Sequence, residues 1–180
     1  ARLLNLYRPP PPYDRNATGA GPWLALGHRL VPDDEVRERV LDHLAYKVQN
    51  PGKFINGVVA FVGEQGVGKD AFFEPILGAV GRWNVATISA SALMGRFNPL
   101  VQSVFLNINE NRTDFREGGA QGFYTTVKTL SAVPPETIGI DEKNLKVRYT
   151  LKTAALLITS NEIASFYVPA DDRRYLLWLI

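Results

Sequence analysis

The sequence predicts an α/β domain in which a central, mainly parallel sheet is flanked by helices and carries a β-hairpin insertion. Three observations predict it. From residue 55 onward, short apolar runs alternate with segments of helical periodicity, as in strand–helix–strand units. Several of those runs, INGVVAFV and AALLITSN among them, are apolar enough to be buried strands. The first of them leads through a glycine-rich turn directly into a helix.

Composition agrees with a folded domain. The chain has 180 residues, 46% hydrophobic and 21% charged, which suits one domain with an added arm. A net charge of +2 is too small to imply nucleic-acid binding by itself, so such a reading must rest on local patches. There is no cysteine, which excludes disulfides and thiolate metal sites, and His28 and His43 are the only histidines. No apolar run reaches the roughly 18 residues of a membrane span, and no signal peptide opens the chain. The expectation is a soluble cytoplasmic protein with no membrane partner. The start at Ala1 and the apolar end RRYLLWLI suggest a piece of a longer chain.

Residues 1–32 hold Pro9–Pro12, Pro22 and Pro32 and read as a Pro-rich extended arm or linker. The domain proper is expected over 33–180. DDEVRERVLDHLAYKVQN opens with two acids suited to a helix N-terminus, and Val36, Val40, Leu41, Leu44, Ala45 and Val48 recur at helical spacing. INGVVAFV is the first buried strand and KDAFFEPILGAVG a helix ending near Gly81. NVATIS, a helical turn over SALMGRF, a strand over VQSVFLNINE and a helix over GGAQGFYTTVKTLSA follow. ETIGID, LKVRYTLK, AALLITSN and YLLWLI supply the remaining strands.

The turn in FVGEQGVGKDAFFEP fits G-x-x-x-x-G-K-[ST] except at its last position, which is Asp70. Gly63, Gly66 and Gly68 would let backbone N–H groups surround an anion, with the helix N-terminus adding partial positive charge. The cradle spans Gly63, Glu64, Gln65, Gly66, Val67, Gly68, Lys69, Asp70 and Ala71, and Lys69 would reach the outer phosphates of ATP. The plain alternative is a tight strand-to-helix turn with an exposed lysine. Hydrolysis needs a metal, here Mg2+, and an oriented water. Asn109-Glu110 ends a strand: Glu110 suits the water, but Asn109 is neutral where a metal-binding acid is usual. Both departures fall on one ion, so the carboxylate has moved from the strand to Asp70, or else Asp70 merely caps the helix while phosphates and water hold the metal.

Asn161, at the tip of AALLITSN, suits a contact to the γ-phosphate or the attacking water, or else caps a strand end. Arg173 and Arg174 follow two aspartates; an arginine here would reach a neighbouring subunit's nucleotide, or pair locally with those aspartates. In KNLKVRYTLK, Val147, Tyr149 and Leu151 alternate with Lys146, Arg148, Thr150 and Lys152, giving a strand with one basic face. Lys143 and Asn144 mark the hairpin tip, which would contact a nucleic-acid backbone or simply be solvated.

Six segments in order, GEQGVGKD, GRFN, SVFLNINENR, VKTLSAVPPETIGIDEKNL, LLITSNE and VPADDRRY, resemble the superfamily 3 helicases, closest to the phage-type primase–helicases, over about residues 35–180. That resemblance implies an AAA+-like P-loop NTPase fold and an ATP-driven DNA helicase motor. Gly63–Asp70 looks like Walker A, Asn109-Glu110 like Walker B, and Asn161 like the sensor. Lys128 and Lys143 resemble DNA-contacting lysines, and Arg174, with Arg173 second, resembles the arginine finger. It also implies a hexameric ring on single-stranded DNA, a fused or associated primase or polymerase, and a phage- or plasmid-encoded protein in a bacterial cell. The alternative is an ATP-binding assembly switch of a replication initiator that does not unwind. A small-molecule kinase would share the loop but should have lid arginines and an acceptor pocket, which the basic hairpin and the paired arginines argue against.

Overall fold

The computed structural model describes residues 6–12, 18–110, 119–162 and 167–180, and for Glu110 the backbone alone. The strands are β1 (Val58–Val62), β2 (Val85–Ser89), β3 (Phe105–Glu110), β4 (Thr137–Ile140), β5 (Arg148–Leu151), β6 (Ala155–Ser160) and β7 (Tyr175–Leu179). The helices are α1 (Gly21–Leu30), α2 (Asp34–Gln49), α3 (Lys69–Ala79), α4 (Ala90–Leu93) and α5 (Gly119–Ser131). Five strands make one parallel sheet in the order β2-β3-β6-β1-β7, while β4 and β5 pair antiparallel as a separate hairpin.

Period-two side-chain alternation divides each central strand between two cores. Val59 and Phe61 of β1, Phe105 of β3 and Leu157 of β6 meet Leu30 of α1, Val40 and Leu44 of α2, and Phe72, Phe73 and Leu77 of α3. Val58, Ala60, Leu106, Ile108, Leu156 and Ile158 meet Ala90 and Leu93 of α4 and Phe123 and Val127 of α5. A parallel sheet covered on both faces needs strands that are apolar throughout, and this is what β1 (VVAFV) provides. The α2 helix begins where the acids suggested, with the Asp33 carboxylate accepting the Val36 N–H at 3.0 Å.

The segment 1–32 departs from an extended arm. Residues 6–12 hold neither helix nor strand, and Arg8 is tied down: its carbonyl accepts from Trp83 Nε1 at 2.8 Å and Asn84 Nδ2 at 2.6 Å. Residues 21–30, however, are a helix, and this corrects the sequence reading. Pro22 lies in the first turn, where a missing N–H breaks no helical hydrogen bond. Trp23, Leu26 and Leu30 then share one face and pack into the α3 side of the core.

The hairpin exists, with Lys146 and Arg148 exposed as expected, but the apolar residues that alternate with them are exposed too. Val147, Tyr149 and Leu151 are exposed (Tyr149 at 78%), whereas Lys152 is buried. The Lys152 ammonium donates to the Thr129 and Ala132 carbonyls, each at 2.8 Å. Carbonyls at the end of α5 have no partner within the helix, and a cation there also meets the negative end of the helix dipole. This demand draws Lys152, the residue after β5, inward.

Candidate functional site

Parallel strands present their carboxyl ends at one sheet edge, and strand order decides which ends are neighbours. Val62 of β1 lies opposite Ser160 of β6, and Ser160 lies opposite Glu110 of β3. The Gly63–Gly68 loop, the end of β3 and the end of β6 therefore form one row, with adjacent strands about 4.8 Å apart. The loop is held in place from below: the Gly63 N–H donates to the Ser160 carbonyl at 3.0 Å, and the Ile180 N–H to the Val62 carbonyl at 2.8 Å. A Cβ on Gly63 would lie 2.1 Å from the Ile180 oxygen, so only glycine fits. At the other end of the loop, Gly68 has φ 107°, a left-handed conformation that feeds directly into α3.

Lys69 opens α3 and is 5% exposed. Its ammonium donates to the Gly63 carbonyl at 2.7 Å and the Glu64 carbonyl at 2.6 Å, so the side chain arches back over its own loop. Burial lowers its pKa, partly opposed by the neighbouring Asp70 charge. Glu64, Gln65 and Gly66 are exposed, Val67 is half-buried, and Asp70 and Ala71 are exposed in the first turn of α3. Asn109 lies beside Thr159, whose hydroxyl donates to Asn109 Oδ1 at 3.1 Å. Asn161 is exposed one residue beyond β6, within a turn closed by the Glu162 N–H donating to Ser160 Oγ at 3.1 Å. The Glu110 side chain lies outside what the structure describes. Among the described residues, no three His, Cys, Asp or Glu side chains gather where they could hold a metal ion.

Outside the loop, α1 touches the site in a way the motif did not signal. Arg29 Nη2 donates to the Val67 carbonyl at 2.9 Å, and Leu26 lies against Gly68. Trp23 seats the helix, stacking on Phe72 with ring centroids 5.3 Å apart and donating from Nε1 to the Phe72 carbonyl at 2.8 Å. The i, i+3, i+7 spacing of Trp23, Leu26 and Leu30 was the available signal, masked by the prolines around it.

The opposite edge gathers Lys128, Arg173 and Arg174. Arg174 precedes β7, and its carbonyl accepts the Val58 N–H at the start of β1. From there to the Val62 row is four residues, about 13 Å. Arg174 Nε donates to Asp172 Oδ1 at 2.8 Å, its Nη2 to Asp172 Oδ2, and Tyr124 Oη donates to the same carboxylate at 2.9 Å. The Asp172 side chain is 4% exposed, and the Arg174 guanidinium holds its carboxyl well below the usual range. Arg173 is exposed, and with Tyr124, Lys128 and Asp171 it lines an open cleft of about 540 Å³. Lys143 and Lys146 are exposed on the β4–β5 connection, while Arg148 is engaged by Gln102 Oε1 at 2.9 Å and Glu142 Oε1 at 2.5 Å.

No helix among the described residues is long and apolar enough to cross a membrane. No curated protein matches the chain by sequence. Among solved structures, an apo A form of the NrS-1 C-terminal region superposes with a TM-score of 0.74 at 20% identity, covering 99% of this chain and 41% of that one. A second apo A form of the same region gives 0.70 at 19% identity, with 99% and 40% covered. A further apo structure of it gives 0.70 at 20%, with 99% and 42% covered. This chain thus spans about two-fifths of the length of those neighbours (40–42%), and at such identity the likeness is one of fold. By sequence, residues 61–174 match a family of unknown function, DUF5906. That stretch is more than half of the chain and contains the glycine loop, both neighbouring strand ends and the paired arginines, so the protein belongs to the DUF5906 family.

Proposed function

We propose that the chain is a P-loop, AAA+-like ATPase domain of the superfamily 3 helicase type, the motor of a larger DNA replication protein. The observation that carries this reading is the glycine loop: a buried strand, a turn with left-handed Gly66 and Gly68, and a lysine opening the following helix. The row formed with the ends of β3 and β6 supports it, because open α/β sheets bind ligands outside the carboxyl ends of their strands.

The phosphates of ATP would lie along the loop N–H groups, with Lys69 turning from the Gly63 and Glu64 carbonyls to the outer phosphates. Mg2+ usually binds one or two carboxylates and takes its other oxygens from phosphate and water. Asp70 and the Asn109 amide suit that pattern as hard oxygen donors, with phosphate and water oxygens supplying the rest. Bound Mg2+ would neutralise charge on the phosphates. Glu110 would orient the attacking water and Asn161 would hydrogen-bond the γ-phosphate. Arg173 and Arg174 lie too far across the sheet to reach their own loop, so either would act on a neighbour's nucleotide in a hexameric ring. Lys143 and Lys146, with Lys128, would contact the backbone of single-stranded DNA, and a primase or polymerase domain would accompany the motor.

ATP binding and ATPase, with and without single-stranded DNA, test the proposal. Lys69→Ala is expected to lower turnover at least about 100-fold, and DNA is expected to stimulate the wild type. Absence of ATP binding by wild type sinks the reading, and turnover indifferent to DNA favours the assembly switch. Asp70→Ala with unchanged magnesium dependence would rule out a metal role for that carboxylate.

A further inference from the structure

We propose that Arg29 of α1 is a positioning residue for the glycine loop: it holds the Val67–Gly68 peptide so that the Gly68 N–H faces the cradle. A trans peptide is planar, so its C=O and N–H point in opposite directions. Arg29 Nη2 takes the Val67 oxygen from the outer side of the loop at 2.9 Å, and the Gly68 N–H of the same peptide is thereby turned away from α1. A constraint is needed there. Gly68 has φ 107° and ψ 15°, and a glycine gains so little from one side of φ over the other that the peptide before it is easily turned.

The helix is built to hold that contact. Trp23 is fastened to the Phe72 carbonyl at 2.8 Å, Leu30 is buried in the core, and a Cβ on Gly27 would lie 3.1 Å from the Phe72 ring. These contacts join α1 directly to the first turn of α3. A Cβ on Gly68 would lie 3.0 Å from Leu26 and 3.4 Å from Arg29 Nη2, which shows how closely α1 covers the turn. Residues before the sheet, outside the loop motif and outside the matched family segment, thus set the geometry of one cradle donor. Arginine suits the task, since its guanidinium keeps its charge and its donor geometry is fixed.

The consequence for phosphate binding rests on the nucleotide reading above; the peptide orientation does not. Arg29→Met keeps the apolar stem and removes the donors, and Arg29→Lys restores one charged donor. In each variant and in wild type, the Gly68 amide is followed by 15N NMR line width and hydrogen exchange, and affinities for ADP and for inorganic pyrophosphate are titrated. Arg29→Met should broaden the Gly68 amide and weaken both ligands roughly tenfold, with the thermal midpoint retained and most of the affinity recovered in Arg29→Lys. A Gly68 amide with the same line width and exchange in Arg29→Met as in wild type overturns the proposal. If wild type binds neither ligand, the nucleotide reading fails, and the Gly68 amide still decides the role of Arg29. If Arg29→Met does not fold, Arg29→Ala, which removes the donors at this exposed position, decides by the same criterion: a Gly68 amide identical to wild type overturns the proposal, and a broadened one supports it.

Discussion

Single residues in this domain owe their chemistry to what covers them. His43 lies on α2 beneath the start of the sheet, and its Nε2 is buried without a hydrogen-bond partner. Burial, with Lys47 adding repulsion, lowers its pKa from 6.5 to about 4. Below pH 6.5 the unfolded chain therefore binds a proton that the native protein refuses, and stability falls with pH until about 4. The loss should approach about 3 kcal/mol at most, read from urea unfolding between pH 7 and 4, and His43→Leu should flatten that slope. Asp172 acts in a separate, lower window. Its pKa is depressed by Arg174, so its contribution is present above the usual carboxylate value and is lost only as pH falls below it. Lys47, buried among the Pro51, Lys53 and Thr153 carbonyls, has its pKa lowered to about 8 and does not titrate in either acid window.

Elements here are placed by the partners their exposed ends require. The α1 helix is short, ten residues, and isolated helices of that length are marginal in water. Its stability comes from docking, chiefly the Trp23–Phe72 stack and its hydrogen bond. Trp23→Ala should cost about 2–3 kcal/mol in chemical denaturation, and, on the proposed nucleotide reading, it should also weaken ADP binding, since Arg29 rides on the same helix. The β5 strand shows the same dependence in reverse. Its alternation was legible, but Lys152, the residue after it, is drawn inward by the α5 carbonyls it satisfies, while Arg148 and the apolar Tyr149 and Leu151 are all exposed. Period-two alternation in a sequence identifies two faces and cannot say which of them a helix terminus will claim.

At the scale of the molecule, the sheet sorts the candidate residues to two edges. The glycine loop, Asn109, Glu110 and Asn161 share the carboxyl edge, while Lys128, Arg173 and Arg174 share the amino edge. The two arginines should separate by experiment. Arg174→Ala would leave the buried Asp172 carboxylate with only Tyr124 Oη and the residue 174 backbone N–H, which donates to Oδ1 at 3.1 Å, and no cation, at a cost of about 3 kcal/mol in unfolding free energy. Arg173→Ala, at an exposed position, should change stability by no more than about 0.5 kcal/mol. If Arg173 serves a neighbour's nucleotide, its alanine variant loses ATPase while keeping its fold, and mixed assemblies lose activity faster than in proportion to the variant added. Activity proportional to the wild-type fraction would remove Arg173 from that role.

The local grammar of this protein lies in its sequence: buried strands announced by apolar runs, the α2 start announced by Asp33 and Asp34, and a strand-to-helix turn announced by its glycine spacing. These features are short-range, governed by backbone conformation and side-chain periodicity within a few residues. Strand order, the row joining Val62, Ser160 and Glu110, the inward turn of Lys152, the pairing of Arg174 with Asp172, and the seat of α1 on the loop were decided by tertiary structure. Each joins residues tens of positions apart, and each is fixed by where buried polar groups find partners and which apolar faces can be covered together.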